Sequence, residues 1–201
     1  KNKLMQNTIG IGLLGLGTVG TGIVNILNSP EGRHPLVSNV EIVQIAVKDI
    51  KRHRSKGINS SILSDDPFEV VKDPNVQVVV EAIGGIEPAR SLILLAIELG
   101  KSVVTANKAV IARHGKEISE AANKAGVYVL IEAAVGGGIP IIEPLKQSLG
   151  GNRINKVTGI INGTTNFILT EMSKGGGDYQ SILKTAQDLG YAEADPSADV
   201  D

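Results

Sequence analysis

Short aliphatic runs alternate along this chain with longer segments whose apolar residues recur at helical spacing. The short runs predict strands over residues 8–14, 40–47, 76–81, 102–105 and 127–131. The longer segments predict helices over residues 18–28, 88–99 and 108–125, and residues 48–64 are read as a long loop. Strands that alternate with helices in this way predict an α/β fold, a doubly wound parallel sheet covered by helices.

The pattern changes after residue 132, where a glycine loop over residues 133–138 interrupts the alternation. Beyond this loop the sequence predicts a helix over 139–149, a strand over 153–161, and helices over 164–172 and 179–189. We therefore place a domain boundary after residue 135. Residues 1–135 would form the sheet domain, and residues 136–201 would begin an α+β domain.

Composition narrows the class of protein. Hydrophobic residues make up 42% and aromatic residues 2% of the 201 residues, and 24 are glycines, as suits aliphatic parallel strands with close backbone approaches. The net charge of −1 and the lack of a basic run argue against nucleic acid or anionic membranes as partners. The sequence has no cysteine and no apolar run of transmembrane length, so a cytoplasmic protein is the default expectation, with a plastid-like compartment left open.

A glycine motif follows the first predicted strand and opens the first predicted helix: Gly15, Leu16, Gly17, Thr18, Val19 and Gly20. In this context GxGxxG predicts a Rossmann-type dinucleotide-binding turn. Gly15 would allow the tight turn, Gly17 would let the backbone approach a pyrophosphate, and Gly20 would let the helix pack on the strand. The alternative is a glycine turn that binds no ligand.

The end of the second strand discriminates between dinucleotides, because an acidic residue there accepts from a ribose hydroxyl and a basic one accommodates a 2′-phosphate. Lys48 comes first and favours NADP(H), whereas Asp49 keeps NAD(H) open. The basic residues Lys51, Arg52 and Arg54 follow. The alternative reading is a solvated basic loop.

Lys108 follows the fourth predicted strand, at the carboxyl edge where open α/β sheets bind ligands. A lysine there could hold a carboxylate or polarise a carbonyl. A cation at a helix start is electrostatically unfavourable, which argues for a compensating role. An ordinary surface lysine is the alternative.

Three further groups carry candidate chemistry. Glu132 beside the glycine loop could hold a hard cation with backbone carbonyls, or could instead cap a helix or make a buried hydrogen bond. The segment from Asn162 to Asn166 could recognise a small polar substrate or simply cap a helix. The acidic residues near the end could meet a metal, a basic partner or a substrate ammonium, or form a solvated loop; they are Glu193, Asp195, Asp199 and Asp201.

Taken together, these segments resemble homoserine dehydrogenase. The matching stretches fall in the family's order over essentially the whole chain: GLGTVG (15–20), EAIGG (81–85), TANKA (105–109), EAAVGGGIPI (132–141), GIINGTTNFILT (159–170) and AQDLGYAEADP (186–196). The first stretch is generic to dinucleotide-binding folds, and the last three are specific to the family.

The resemblance implies reduction of L-aspartate 4-semialdehyde to L-homoserine with NADPH or NADH, on the route to threonine, methionine and isoleucine. It assigns the pyrophosphate to residues 15–20, the 2′-phosphate to Lys48, and the nicotinamide side to Ile83 and Gly84. It places Lys108 at both cofactor and substrate. The remaining residues that it implies are Gly190 for the cofactor, Glu193, Asn162 and Thr164 for the substrate, and Glu132 with the carbonyls of Val135, Gly137 and Ile139 for sodium.

The family pattern continues past residue 201 with a substrate-binding sheet, a second substrate-binding Asp and a catalytic Lys that donates the proton. The resemblance therefore implies that the chain corresponds to the N-terminal part of such an enzyme, and that the whole enzyme is a homodimer. Two other readings stay open. One is a non-catalytic NAD(P)-sensing module, and the other is a dehydrogenase of a different amino-acid aldehyde.

Overall fold

Six short strands pair in parallel within the part of the chain that the computed structural model describes, which is residues 8–51, 58–175 and 177–192. The strands are β1 (Ile9–Leu14), β2 (Val40–Ala46), β3 (Leu63–Ser64), β4 (Val78–Glu81), β5 (Ser102–Thr105) and β6 (Val129–Leu130). Their order across the sheet is β3-β2-β1-β4-β5-β6. The predicted doubly wound parallel sheet is confirmed.

The α-helices beside the sheet whose full extent lies within the described residues are α1 (Thr18–Asn28), α2 (Pro67–Lys72), α3 (Ala89–Glu98) and α4 (Lys108–Ala125). Short 3₁₀ turns lie at Pro35–Asn39, Ser60–Ile62 and Glu132–Ala134. The sequence pattern did not predict α2, although it carries a start signal. The Asp66 carboxylate caps it by accepting from the Phe68 N–H at 2.8 Å, and Pro67 occupies its first turn.

The helices divide between the two faces of the sheet. Consecutive strand residues point to opposite faces, so Leu13 and Leu14 enter different cores. Leu13 packs with Val24 of α1, whereas Leu14 shares a core with Leu92 of α3. Residues of α2 and α4 join the second core, as Val70 shows for α2. Helix α1 therefore covers one face, and α2, α3 and α4 cover the other.

The chain divides into two compact units, residues 1–149 and 150–201. The second unit contains α5 (Gly163–Ser173) and α6 (Tyr179–Asp188), which bury Ile168, Ile182 and Ala186. The domain boundary predicted after residue 135 stays a prediction. No helix among the described residues is both long enough and apolar enough to cross a membrane.

The helix expected over 139–149 forms in a shorter version. Residues 142 and 143 are α-helical, and Pro144–Ser148 continue as a π-helical turn in which the Leu149 N–H donates to the Pro144 carbonyl five residues back. Pro144 lies in the first turn, where its missing N–H is tolerated.

The strand expected over 153–161 does not form, because no described segment pairs with it, and a strand requires a hydrogen-bonded neighbour. Its apolar side chains lie exposed, and Ile161 is 100% exposed.

The contact between α1 and the turn before it limits the size of residue 20. A Cβ at Gly20 would lie 2.1 Å from the Gly15 carbonyl oxygen, closer than real contacts allow. Gly20→Ala should therefore destabilise the protein by about 1–3 kcal/mol, measured as the free energy of unfolding in urea.

Gly22 provides the matched control in the same helix, since nothing lies within 4 Å of an added Cβ there. Gly22→Ala should stabilise the protein by about 1 kcal/mol through helix propensity alone. Equal effects of the two substitutions would contradict the steric account.

Candidate functional site

A crevice of about 790 Å³ opens at the carboxyl edge of the sheet, between the loops that follow β1 and β4. Its volume lies in the range of small-molecule and cofactor sites. The loop after β2 closes a further side. The residues that line it are Gly15, Leu16, Gly17, Thr18, Thr21, Gly22, Asn25, Ala46, Val47, Lys48, Asp65, Pro67, Ala82, Ile83, Gly84, Glu87 and Pro88.

The three motif glycines differ in their surroundings. Gly15 has φ +98°, and an added Cβ would lie 2.8 Å from the Ala82 carbonyl oxygen. Gly20 leaves room for the Gly15 carbonyl, as described above. Gly17, by contrast, faces open space with no atom within 4 Å of an added Cβ. No atom of the protein therefore requires glycine at position 17. A ligand that approaches the backbone at this point would require it.

The N-terminus of α1 carries no group that competes with an anion. Gly17 is its N-cap residue, no side chain caps the helix, and its first turn contains no acidic residue. The first amides of a helix are unpaired and bear partial positive charge, so they suit a phosphate. Thr18 lines the crevice at this point, whereas Val19 does not and is 51% exposed.

Lys48 follows β2 by two residues and lines the crevice, and Asp65 lines it as well. Asp49 is engaged differently, because its carboxylate accepts from the Lys51 N–H at 2.9 Å and it is not among the lining residues. Two of the basic residues noted in the sequence, Arg52 and Arg54, lie outside the described residues.

The opposite wall of the crevice contains Ile83 and Gly84, on the turn after β4. A buried carboxylate holds this turn: Glu81 accepts from the Ile83 N–H at 2.9 Å and from the Gly84 N–H at 3.3 Å. Sequence reasoning missed this role of Glu81. A carboxylate at the end of an otherwise aliphatic strand was the available signal.

Lys108 begins α4 directly after the capping residue Asn107, whose side-chain oxygen accepts from the Val110 N–H at 3.1 Å. Lys108 is exposed and is not among the residues that line the crevice. In the described part of the chain it forms no ion pair.

Glu132 is half-buried and accepts three backbone hydrogen bonds. The donors are the N–H groups of Ile141, of Ile142 at 3.0 Å, and of Glu143 at 2.6 Å. These bonds, chiefly those from Ile141 and Glu143, lower the pKa of Glu132 from its ordinary value of 4.5. Within the described residues the carbonyls of Val135, Gly137 and Ile139 accept no backbone hydrogen bond, and no cluster of three acidic, His or Cys side chains could hold a metal.

The second unit contains three more of the predicted residues. Asn162 caps α5 by accepting from the Thr165 N–H at 2.8 Å, and the Thr164 hydroxyl donates to the Tyr191 carbonyl. Gly190 ends α6 with φ +76°, which favours glycine. Glu193, Asp195, Asp199 and Asp201 lie outside the described residues. Ligand contacts of all these residues stay predictions.

Several lining residues were not predicted. Thr21, Gly22 and Asn25 follow the predicted Thr18 at successive turns of α1, and all four line the crevice. That spacing was visible in the sequence. Asp65 and Pro67 had no such signal, since they approach the crevice only through the pairing of β3 with β2.

Comparison with known proteins identifies both parts of the chain. Residues 15–132 match the family described as homoserine dehydrogenase, NAD binding domain, and residues 140–201 match the family described as homoserine dehydrogenase. The homoserine dehydrogenase of Synechocystis sp. is 60% identical over 194 residues, which are 96% of this chain and 45% of that protein. That of Corynebacterium glutamicum is 47% identical over 97% of this chain and 44% of its own length.

Solved structures agree with these matches. A homoserine dehydrogenase from Thiobacillus denitrificans aligns with a TM-score of 0.82 and 48% identity, over 96% of this chain and 45% of its own. A hyperthermophilic archaeal homoserine dehydrogenase in complex with NADPH aligns with a TM-score of 0.76 and 28% identity, over 96% of this chain and 65% of its own. The chain thus spans less than half the length of the curated relatives named above.

The hydrogen bonds to Glu132 make stability depend on pH. Because its pKa is lowered on folding, the carboxylate contributes stability that is fully present above pH 4.5 and is lost as the pH falls through its folded pKa. Glu132→Gln should therefore lower the unfolding midpoint at pH 7 and do so less and less below pH 4.5, as measured by urea unfolding across pH. A difference that stays constant from pH 7 to pH 3 would contradict this role.

Proposed function

The chain belongs to the homoserine dehydrogenase family, and from this premise we propose that the protein reduces L-aspartate 4-semialdehyde to L-homoserine with NAD(P)H. The observation that carries the proposal is the crevice between the loops after β1 and β4, which combines an uncapped helix N-terminus with open space at Gly17. Residues 15–132, which build nearly all of it, match the family's NAD-binding domain.

The residues of the first unit would hold the cofactor along the crevice. The turn from Gly15 to Gly20 and the first amides of α1 would bind the pyrophosphate. Ile83 and Gly84 would face the nicotinamide, which when bound supplies the hydride for the aldehyde carbon. Lys108 would lie near the carbonyl oxygen, whose developing charge a lysine can stabilise.

The substrate would be recognised by its amino-acid end. Family membership assigns Glu193 to the ammonium group, Asn162 and Thr164 to substrate binding, and Gly190 to cofactor binding. The alkoxide formed by hydride transfer requires a proton donor. The family resemblance places this donor, a lysine, in the part of the relatives that this chain does not span, and Lys108 is the alternative within it.

For the cofactor we infer NADP(H) in preference to NAD(H). Lys48 lines the crevice at the end of β2, where a basic side chain accommodates the 2′-phosphate. Asp49, the residue that favoured NAD(H), instead binds the Lys51 N–H. The basic residue lines the crevice while the acidic one does not, and this supports the preference for NADP(H).

The remaining proposals follow from family membership. Sodium would be held by Glu132 with the carbonyls of Val135, Gly137 and Ile139, which is an all-oxygen set with one negative charge. From family membership we also expect that the protein forms a homodimer, lies in the cytoplasm and takes part in the biosynthesis of threonine, methionine and isoleucine.

Cofactor preference is testable with two neighbouring lysines. Lys48→Ala should raise the KM for NADPH by about 10- to 100-fold, because one charge-assisted hydrogen bond is lost. The same substitution should change the KM for NADH by less than about twofold. Lys51→Ala is the matched control, since Lys51 does not line the crevice and should leave both constants unchanged. Equal effects of the two substitutions on NADPH would contradict the assignment.

The activity itself is tested by homoserine oxidation with NADP⁺, followed at the absorbance band of NADPH. We expect turnover by the full-length protein and none by residues 1–201 alone. Turnover by both would make Lys108 the proton donor. NADPH binding without turnover in either would favour the sensor reading or another aldehyde substrate, which a substrate panel separates.

The substrate role of Glu193 has its own test. Glu193→Gln in the full-length protein should raise the KM for homoserine by about 10-fold or more, because the ammonium loses its charged partner, and leave the KM for the cofactor nearly unchanged. Equal changes in the two constants would contradict the assignment.

A further inference from the structure

Glu81 is a completely buried carboxylate that the proposed mechanism does not use. In the sheet register it belongs to a row formed by Ala46, Leu14, Glu81 and Thr105 on four neighbouring strands. Ala46 and Leu14 in this row are buried apolar residues. A carboxylate at such a position is costly to desolvate, so a side chain of this kind calls for an explanation.

The partners of Glu81 come from two different loops. One carboxylate oxygen accepts from the Ile83 and Gly84 N–H groups of the turn after β4, and the other accepts from the Thr105 hydroxyl at 2.6 Å. The Asn107 side-chain amide also approaches, at 3.5 Å. The carboxylate thus joins the turn after β4 to the turn after β5.

The second turn is organised by the same bonds. The Thr105 oxygen accepts from the Asn107 N–H at 3.0 Å, and the Asn107 amide donates to the Gly85 carbonyl at 2.7 Å. Asn107 also caps α4, which begins at Lys108. The position of Lys108 is therefore fixed relative to Ile83 and Gly84 through a network centred on Glu81.

No cation neutralises this carboxylate, since none of the ion pairs among the described residues includes Glu81. All of its partners are neutral donors on the two turns. An apolar residue would fill the row without this cost, as Leu14 does next to it. What Glu81 provides, and an apolar residue does not, is a simultaneous hold on both turns through its two acceptor oxygens.

We propose that Glu81 is a positioning residue for hydride transfer, which sets the distance between the nicotinamide-facing turn and Lys108. The proposal rests on the proposed function, because it takes Ile83, Gly84 and Lys108 in the roles given there. Glu81 is not among the residues that line the crevice. It acts by holding the groups assigned to the reactants, and small misplacements of such groups lower the rate of the chemical step.

The test uses the full-length protein and the variant Glu81→Gln, which keeps the size of the side chain and replaces one acceptor by a donor. We expect kcat for homoserine oxidation to fall by about 10- to 100-fold with the KM for NADP⁺ within about threefold. The isotope effect with homoserine deuterated at the reacting carbon should rise, because hydride transfer becomes more rate-limiting.

Lys101→Met is the matched control for a purely structural effect. Lys101 is buried at the opposite end of β5, where its ammonium donates to the Asp73 carbonyl at 2.6 Å. Its loss should lower the melting temperature but leave kcat and the isotope effect unchanged. A loss of kcat in Lys101→Met equal to that in Glu81→Gln would overturn the proposal.

A second pair of variants applies if Glu81→Gln does not fold. Thr105→Val removes the hydroxyl that donates to Glu81 and should lower kcat in the same way, whereas Thr105→Ser keeps the hydroxyl and should restore it. Parental kcat and isotope effect in Thr105→Val, or in a folded Glu81→Gln, would overturn the proposal.

Failure of the proposed function would be seen separately, as absence of homoserine oxidation in the parent protein. In that case the fluorescence of bound NADPH tests the position of the turn. A changed emission in Glu81→Gln with an unchanged emission in Lys101→Met supports the positioning role, and identical emission in all three proteins overturns it.

Discussion

The reversal of strand order between β1 and β4 is the constraint on which the rest of the first unit depends. The chain moves from β1 outward to β3 and then returns to the other side of β1 to form β4, β5 and β6. Right-handed crossovers then place α1 on one face of the sheet and α2, α3 and α4 on the other. The loops after β1 and β4 consequently diverge, and a crevice opens between them.

The two walls of this crevice are built in different ways. On the side of β1 the backbone itself forms the wall, because glycine lets the turn fold tightly against β4 and lets α1 approach the turn. On the side of β4 a side-chain network forms it, with a buried carboxylate accepting from two neighbouring turns. The first wall suits a phosphate, and the second holds the turns after β4 and β5 together.

Most of the first unit was predictable from the sequence, because local pattern and tertiary structure agree there. The bounds of α1, β5 and α4 match the predicted ranges, and the glycine motif has the predicted strand and helix on either side. The part that was not predictable depends on partners distant in sequence. The Glu81 carboxylate meets its Thr105 partner only because β4 pairs with β5. Asp65 reaches the crevice only because β3 pairs with β2.

The missing strand after residue 138 has a related cause. The sequence over 139–149 has helical spacing, and a shorter helix over 142–148 forms there. Residues 153–161 have the composition of a strand, yet a strand is defined by its neighbours, and no described segment pairs with them. Periodicity reports which residues could be buried together and does not report whether a partner is present.

The central claim is that the crevice of the first unit binds the dinucleotide through open backbone at Gly17. The most direct measurement is a calorimetric titration of this chain with NADPH, compared with its Gly17→Val variant. The account predicts one binding site per chain in the parent, and loss of binding in a variant whose far-ultraviolet circular dichroism is unchanged. Equal binding by the two folded proteins, or no binding by the folded parent, would contradict it.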